Sequence, residues 1–115
     1  MRLLLDTHVL FWWLIEESQL SPTAHAAIKA KGNEVNASVA TAWEMAIKTG
    51  LGKWPEAEPL VMDFEQQLAN NGIHILPISI DHARVSGMMR NAHRDPFDRL
   101  LAAQAQIEGD RKSVV

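Results

Sequence analysis

The stretch Arg2-Leu3-Leu4-Leu5-Asp6-Thr7-His8 decides the fold. Three consecutive leucines are typical of a short strand that is buried on both faces, as strands of parallel sheets are. An acidic residue directly after such a strand lies at its carboxyl end, which is the edge where open α/β sheets bind their ligands. We therefore expect Asp6 to lie at the functional edge of a parallel sheet.

Strands and helices alternate along the rest of the chain. Besides residues 2–5, strands are predicted at 34–37 and 73–76, and residues 113–115 are expected to begin a fourth. Helices with Ser, Asp or Pro at their starts, or Gly at their ends, are predicted at 9–14, 23–31, 39–49, 59–69, 82–89 and 96–108. Asp81 is expected to cap the fifth of these helices. This order predicts an α/β fold with helices on the faces of a parallel sheet.

Length and composition set mild limits. The 115 residues, 47% of them hydrophobic, suit a single domain over residues 1–115. The formal charge of −3 predicts no global attraction to nucleic acid, so any contact with it must be local. The absence of cysteine excludes disulfides, thiolate metal sites and cysteine nucleophiles. Because neither a signal peptide nor a membrane span is recognisable, we expect a cytoplasmic protein.

Four acids stand where helices begin. Glu44 follows the second predicted strand closely, and Asp95 and Asp98 open the last predicted helix. If the sheet is parallel, the helix that carries Glu44 starts at the same edge as Asp6. A group of carboxylates without cysteine or paired histidines favours a hard cation, Mg²⁺ or Mn²⁺, over zinc. Taken singly, each acid also has a structural interpretation, as a helix cap or a solvated helix residue.

Four blocks of the chain together resemble the PIN-domain ribonucleases, and among them most closely the VapC toxins of bacterial toxin–antitoxin pairs. In order, these blocks are Leu3-Leu4-Leu5-Asp6-Thr7-His8, Ser38-Val39-Ala40-Thr41-Ala42-Trp43-Glu44-Met45-Ala46-Ile47-Lys48, Leu76-Pro77-Ile78 and His93-Arg94-Asp95-Pro96-Phe97-Asp98-Arg99-Leu100-Leu101-Ala102-Ala103-Gln104-Ala105. The resemblance covers nearly the whole chain. It implies a PIN-like three-layer fold, with a parallel sheet between layers of helices.

The resemblance also implies a site and an activity. Asp6, Glu44 and Asp98 match the first three acids of the family's metal site, and Asp95 is an auxiliary catalytic candidate. The implied activity is Mg²⁺- or Mn²⁺-dependent hydrolysis of RNA phosphodiesters, by an endoribonuclease toxin that a VapB-type antitoxin neutralises. A homodimer and no membrane association are expected. RNA target, cleavage site and antitoxin are left open.

Basic residues near these acids are candidates for contact with RNA phosphates. Lys48 lies one helical turn after Glu44, where it could instead form an intrahelical ion pair, and Arg94 and Arg99 flank the last two acids. His8 is predicted to pack or hydrogen-bond rather than to bind metal, because no second residue at ligand spacing joins it.

The end of the chain departs from the family. Members continue beyond the position of Gly109 into a strand with a fourth acid, another helix and a last strand, so the chain is expected to be C-terminally incomplete. A second interpretation follows: a catalytically weakened or inactive PIN fragment that still binds its antitoxin or another partner. A third class, phosphoaspartate receivers and haloacid-dehalogenase-like phosphatases, fits poorly, because Asp6 is followed by Thr7-His8 rather than by a nearby second acid.

Overall fold

The computed structural model describes residues 1–90 and 95–109. In that part of the chain the strands are β1 (Arg2–Leu4), β2 (Glu34–Ser38) and β3 (His74–Leu76). The α-helices are α1 (Thr7–Ile15), α2 (Pro22–Lys29), α3 (Val39–Gly50), α4 (Glu58–Met62), α5 (Phe64–Asn70), α6 (Ile80–Met88) and α7 (Pro96–Glu108). None of the described helices is long and apolar enough to cross a membrane.

The three strands form one parallel sheet in the order β1-β2-β3. Leu3 is paired with Val35, and Ala37 with Ile75, so all three strands run in register toward the same edge. The prediction of an α/β fold with a parallel sheet is confirmed. Among the described strands β1 is an edge strand; residues 113–115, predicted to begin a fourth strand, lie outside the described part of the chain.

Helices cover both faces of the sheet, which gives three layers. Leu3 and Leu5 point into a large core on one face, whereas Leu4 points to the other face, because successive side chains of a strand alternate. The large core includes Leu10 of α1 and Met45 of α3. It also includes Ile28 of α2, Leu60 of α4, and Phe64 and Leu68 of α5. Leu76 and Ala105 lie with Leu4 in the smaller core under α7.

The predicted helix at 59–69 is wrong in one respect, because the structure has two helices there. Asp63 separates them with a non-helical backbone, φ −129° and ψ 35°, and its carbonyl accepts the first hydrogen bond of α5 from the Gln67 amide. Leu60, Phe64 and Leu68 are all buried on the same core at intervals of four residues. This spacing is that of one continuous amphipathic helix, which is why the sequence alone did not reveal the break.

The predicted cap of the fifth helix is also wrong. Ser79, not Asp81, is the N-cap of α6: its hydroxyl accepts from the His82 amide, and the His82 ring accepts from the Ser79 amide at 2.9 Å. This reciprocal pair satisfies two backbone donors at once, which a single aspartate cap does not. Asp81 lies in the first turn and forms an exposed ion pair with Arg84.

Candidate active site

Glu44 is the most buried of the four candidate acids. It lies in the second turn of α3, on the buried face that also carries Thr41 and Met45, and only 5% of its surface is exposed. Both carboxylate oxygens have a donor: the Thr7 hydroxyl is 2.7 Å from Oε1, and the Lys48 ammonium is 2.7 Å from Oε2. Hydrogen-bond donors of this kind offset the hydration that a carboxylate loses when it is buried.

Two threonine hydroxyls form a chain of donors that ends at Glu44. A hydroxyl has one hydrogen, and the Thr7 hydrogen is directed at Glu44 Oε1. The Thr41 hydroxyl, 3.3 Å from that of Thr7, is therefore the donor in the contact between them. Both threonines are at most 2% exposed.

Asp6 lies at the same edge of the sheet as Glu44. It lies two residues after the end of β1 and is the N-cap of α1, where its side chain accepts from the His8 amide at 3.3 Å. Its neighbour Thr7 is the residue that donates to Glu44. The carboxyl ends of β1 and β2 therefore bring Asp6 and Glu44 to one place, as a parallel sheet requires.

Helix α7 carries Asp95 and Asp98 to this edge because it runs antiparallel to the strands. At its end, the Glu108 carbonyl accepts from the Arg2 guanidinium at 3.2 Å, beside the start of β1. At its beginning, the Phe97 ring packs edge-on against Trp43, with centroids 5.1 Å apart. Because Trp43 precedes Glu44, the start of α7 lies next to the helix that holds this buried acid.

The two acids of α7 differ in what they do locally. Asp95 is the N-cap and accepts from the Phe97 amide at 2.8 Å, so it has a structural role whatever else it does. Asp98 lies in the first turn of the helix and is exposed. Arg99 is half-buried, and its Nε is buried without a hydrogen-bond partner among the described residues. Arg94, the other arginine predicted to contact RNA, lies outside the described residues.

The donor set suits a hard divalent cation. Asp6, Glu44 and Asp98 supply only carboxylate oxygens, and each Glu44 oxygen keeps a second lone pair beside the hydrogen bond it accepts. Within residues 1–90 and 95–109, however, no group of three or more acidic, histidine or cysteine side chains is arranged so that it could hold a metal ion. The acids share an edge without forming a closed set of ligands.

This edge of the sheet carries an acid after β1, a buried acid on α3 and an acid in the first turn of α7. A comparison of the sequence with protein families agrees with that arrangement. The model of the PIN domain matches residues 3–112. The chain belongs to the PIN-domain family. No curated protein and no solved structure matched the chain in the same comparisons. Because PIN domains are generally metal-dependent nucleases, membership of the family indicates a nuclease that uses a divalent metal.

An aromatic cluster lies beside the acids of this PIN domain and is not predictable from the sequence. His8 stacks on Trp54, with centroids 4.9 Å apart, and the Lys48 ammonium lies 5.8 Å from the centroid of the Trp54 ring. This stacking confirms the prediction that His8 packs against a neighbouring side chain. Trp54 is too distant from His8 in the sequence for any local pattern to associate the two rings.

Proposed function

We propose that this PIN domain is a Mg²⁺- or Mn²⁺-dependent endoribonuclease of the VapC toxin type, acting in the cytoplasm. The observation that carries the proposal is the buried Glu44 carboxylate, which Thr7 and Lys48 hold at the sheet edge where Asp6 begins α1. A buried carboxylate adds nothing to the hydrophobic packing of the core. Its position at this edge suits a cation or a substrate that approaches from solvent.

In this proposal Asp6, Glu44 and Asp98 hold the metal, with water completing its coordination. Mg²⁺ commonly binds through one or two carboxylates together with waters and substrate phosphate oxygens, so a closed cage of protein ligands is not needed. When bound, the metal lowers the pKa of a water and neutralises charge on the phosphate. Asp95 fixes the first turn of α7 through its bond to the Phe97 amide and thereby positions Asp98.

The basic residues bind the substrate. Lys48 is 37% exposed at its side chain, so its ammonium can reach an RNA phosphate from the position that it occupies beside Glu44. Arg99 stands one residue after Asp98 at the start of α7 and is half-buried, so part of its side chain is open to solvent. These cations offset the negative charge that the acids place at the edge, and this local charge is what the net negative chain needs to attract RNA. Arg94 remains a candidate from the sequence alone.

We also propose a homodimer that forms through α3. Beside the face that carries Glu44, α3 and its C-cap residue expose an apolar row at intervals of four residues, which we call the α3 row: Val39, Trp43, Ile47 and Leu51. Trp43 is 56% exposed, an uncommon state for so large a side chain. Rows with this spacing pack into the same row of another helix in the commonest class of helix crossing, so a second copy is a suitable occupant. The VapB-type antitoxin is proposed from the resemblance to VapC toxins alone.

The test of the function is RNA cleavage by the purified chain. We expect cleavage of single-stranded RNA with Mg²⁺ or Mn²⁺, no cleavage with chelator, and a loss of at least about a hundredfold in Asp98→Asn and in Asp6→Asn, since the charge that binds the metal is removed. Asp81→Asn is the matched control, because Asp81 also lies in the first turn of a helix but pairs only with Arg84 among the described residues.

Cleavage that persists in chelator, or that survives both substitutions, would contradict the proposal and indicate a contaminating nuclease. A chain that binds Mn²⁺ but cleaves nothing would instead favour the alternative of a catalytically inactive PIN domain.

A further inference from the structure

An aromatic pair beside Glu44 has no part in holding the metal. The His8 and Trp54 rings are stacked, with an angle of 22° between their planes and 4.9 Å between their centroids. His8 is exposed, whereas Trp54 is half-buried. The pair therefore presents an imidazole to solvent on top of an indole that belongs partly to the protein interior.

Trp54 is held by contacts with the large core. Its ring is 4.9 Å from that of Phe11, which is only 3% exposed in the large core. The Trp12 ring lies 5.7 Å from His8 on the same helix, one turn further along α1. An exposed side chain would ordinarily sample several rotamers, so these contacts hold the imidazole in a preferred position before any ligand arrives.

The pair is connected to the acids through both ends. His8 stands two residues after Asp6 and donates its backbone amide to the Asp6 carboxylate. Lys48 connects Trp54 to Glu44, because its ammonium lies 2.7 Å from Glu44 Oε2 and 5.8 Å from the centroid of the Trp54 ring. A planar aromatic surface, a cation suited to phosphate and the acids of the metal site thus follow one another along the same edge.

We propose that His8, supported by Trp54, is the surface on which a nucleobase of the RNA stacks next to the phosphodiester that is cleaved. This inference rests on the proposed ribonuclease function. Proteins bind unpaired bases by stacking them on aromatic side chains, while cations contact the adjoining phosphates. His8 is the stacking residue, Trp54 is a positioning residue that supports it, and Lys48 contacts the neighbouring phosphate. Because every base has a flat face, this contact positions single-stranded RNA with little preference for sequence.

The experiment measures RNA binding separately from cleavage. An end-labelled short single-stranded RNA is titrated with the full chain in Ca²⁺ in place of Mg²⁺, and anisotropy reports the affinity. A second probe has the same ribose-phosphate backbone but lacks bases. The variants are His8→Ala, which removes the ring, and His8→Phe, which keeps a flat ring without the imidazole nitrogens. His25→Ala is the control. The His25 ring also packs on a tryptophan, with its centroid 5.3 Å from that of Trp13, but His25 belongs to α2 and not to the start of α1.

We expect His8→Ala to weaken binding of the RNA about tenfold, as the loss of one stacked base does. We expect His8→Phe to stay close to the wild type, and His25→Ala to be unchanged. On the probe without bases, the wild type and His8→Ala should bind alike. Unchanged thermal melts of the His8 variants would show that the loss does not come from unfolding.

Several results would overturn the inference: equal RNA affinity of His8→Ala and the wild type, an equal loss on the probe without bases, a His8→Phe variant as weak as His8→Ala, or a wild type that binds no RNA. The proposed function is judged by a different readout, cleavage in Mg²⁺ or Mn²⁺. A wild type that binds RNA through His8 but never cleaves it would end the ribonuclease proposal and leave the stacking surface standing.

Discussion

The Thr7 hydroxyl donates a hydrogen bond of 2.7 Å to Glu44 Oε1 and thereby joins the start of α1 to the buried face of α3. The two residues are 37 positions apart in the sequence. This bond brings the residue after Asp6 into contact with the buried acid, and the first two predicted metal ligands come to one edge with it.

Thr7→Val should destabilise the fold and weaken metal binding. Valine has the shape of threonine but no donor, so Glu44 Oε1 would remain buried with one hydrogen bond fewer, at a cost of about 1–3 kcal/mol. A Glu44 carboxylate that is less firmly held should bind Mn²⁺ less well. Thermal unfolding and Mn²⁺ titration by calorimetry measure the two effects. Thr7→Ser is the control, because it keeps the hydroxyl; a Thr7→Val protein as stable as Thr7→Ser would show that the bond contributes little.

Lys48→Met should strengthen Mn²⁺ binding while it weakens RNA binding. In the structure the Lys48 ammonium occupies one side of Glu44 Oε2 at 2.7 Å, where it competes with a metal for the same negative charge. Without the ammonium, the metal is the positive charge that compensates the Glu44 carboxylate, so Mn²⁺ binding should gain. The RNA phosphate loses a cation, so RNA binding should weaken. Mn²⁺ calorimetry and RNA anisotropy follow the two changes in opposite directions.

Lys53→Met is the control for the Lys48 variant, because Lys53 is an exposed lysine just beyond the end of α3. A general effect of charge would give the same result in both variants. If Lys48→Met bound Mn²⁺ more weakly than the wild type, Lys48 would be an organiser of the Glu44 carboxylate rather than a competitor of the metal.

Ile47→Glu should convert the proposed dimer into a monomer. Ile47 is in the middle of the α3 row and is 38% exposed, so a glutamate there places a charge inside an interface of two such rows. Light scattering during gel filtration should give about twice the chain mass of 12.8 kDa for the wild type and about that mass for the variant. Ile15→Glu is the control, since Ile15 is 46% exposed at the end of α1, outside the row. A monomeric wild type, or a variant that is still dimeric, would contradict the dimer through α3.

The sequence by itself determined the elements and their order. The apolar run at β1, the caps Ser38 and Asp95, and the left-handed Gly109 at φ 72° after α7 are all local signals, and the structure has them where the sequence predicts them. Local signals failed where two patterns competed for one segment. The four-residue spacing of Leu60, Phe64 and Leu68 concealed the break at Asp63, and the reciprocal pair of Ser79 and His82 displaced Asp81 as a cap.

Only the tertiary structure decided what surrounds each acid. Parallel strands require that Asp6 and Glu44 share an edge, and to that extent the placement was predictable from the sequence. That the Thr7 hydroxyl takes one Glu44 oxygen, and that His8 rests on Trp54, depends on side chains brought together from separate elements. The bond of Lys48 to the other Glu44 oxygen lies within α3, and the sequence already offered it as an intrahelical ion pair. Burial, hydrogen bonding and stacking are properties of such assembled neighbourhoods. Periodicity along the chain fixes the face on which a residue lies, but not the partner that it meets there.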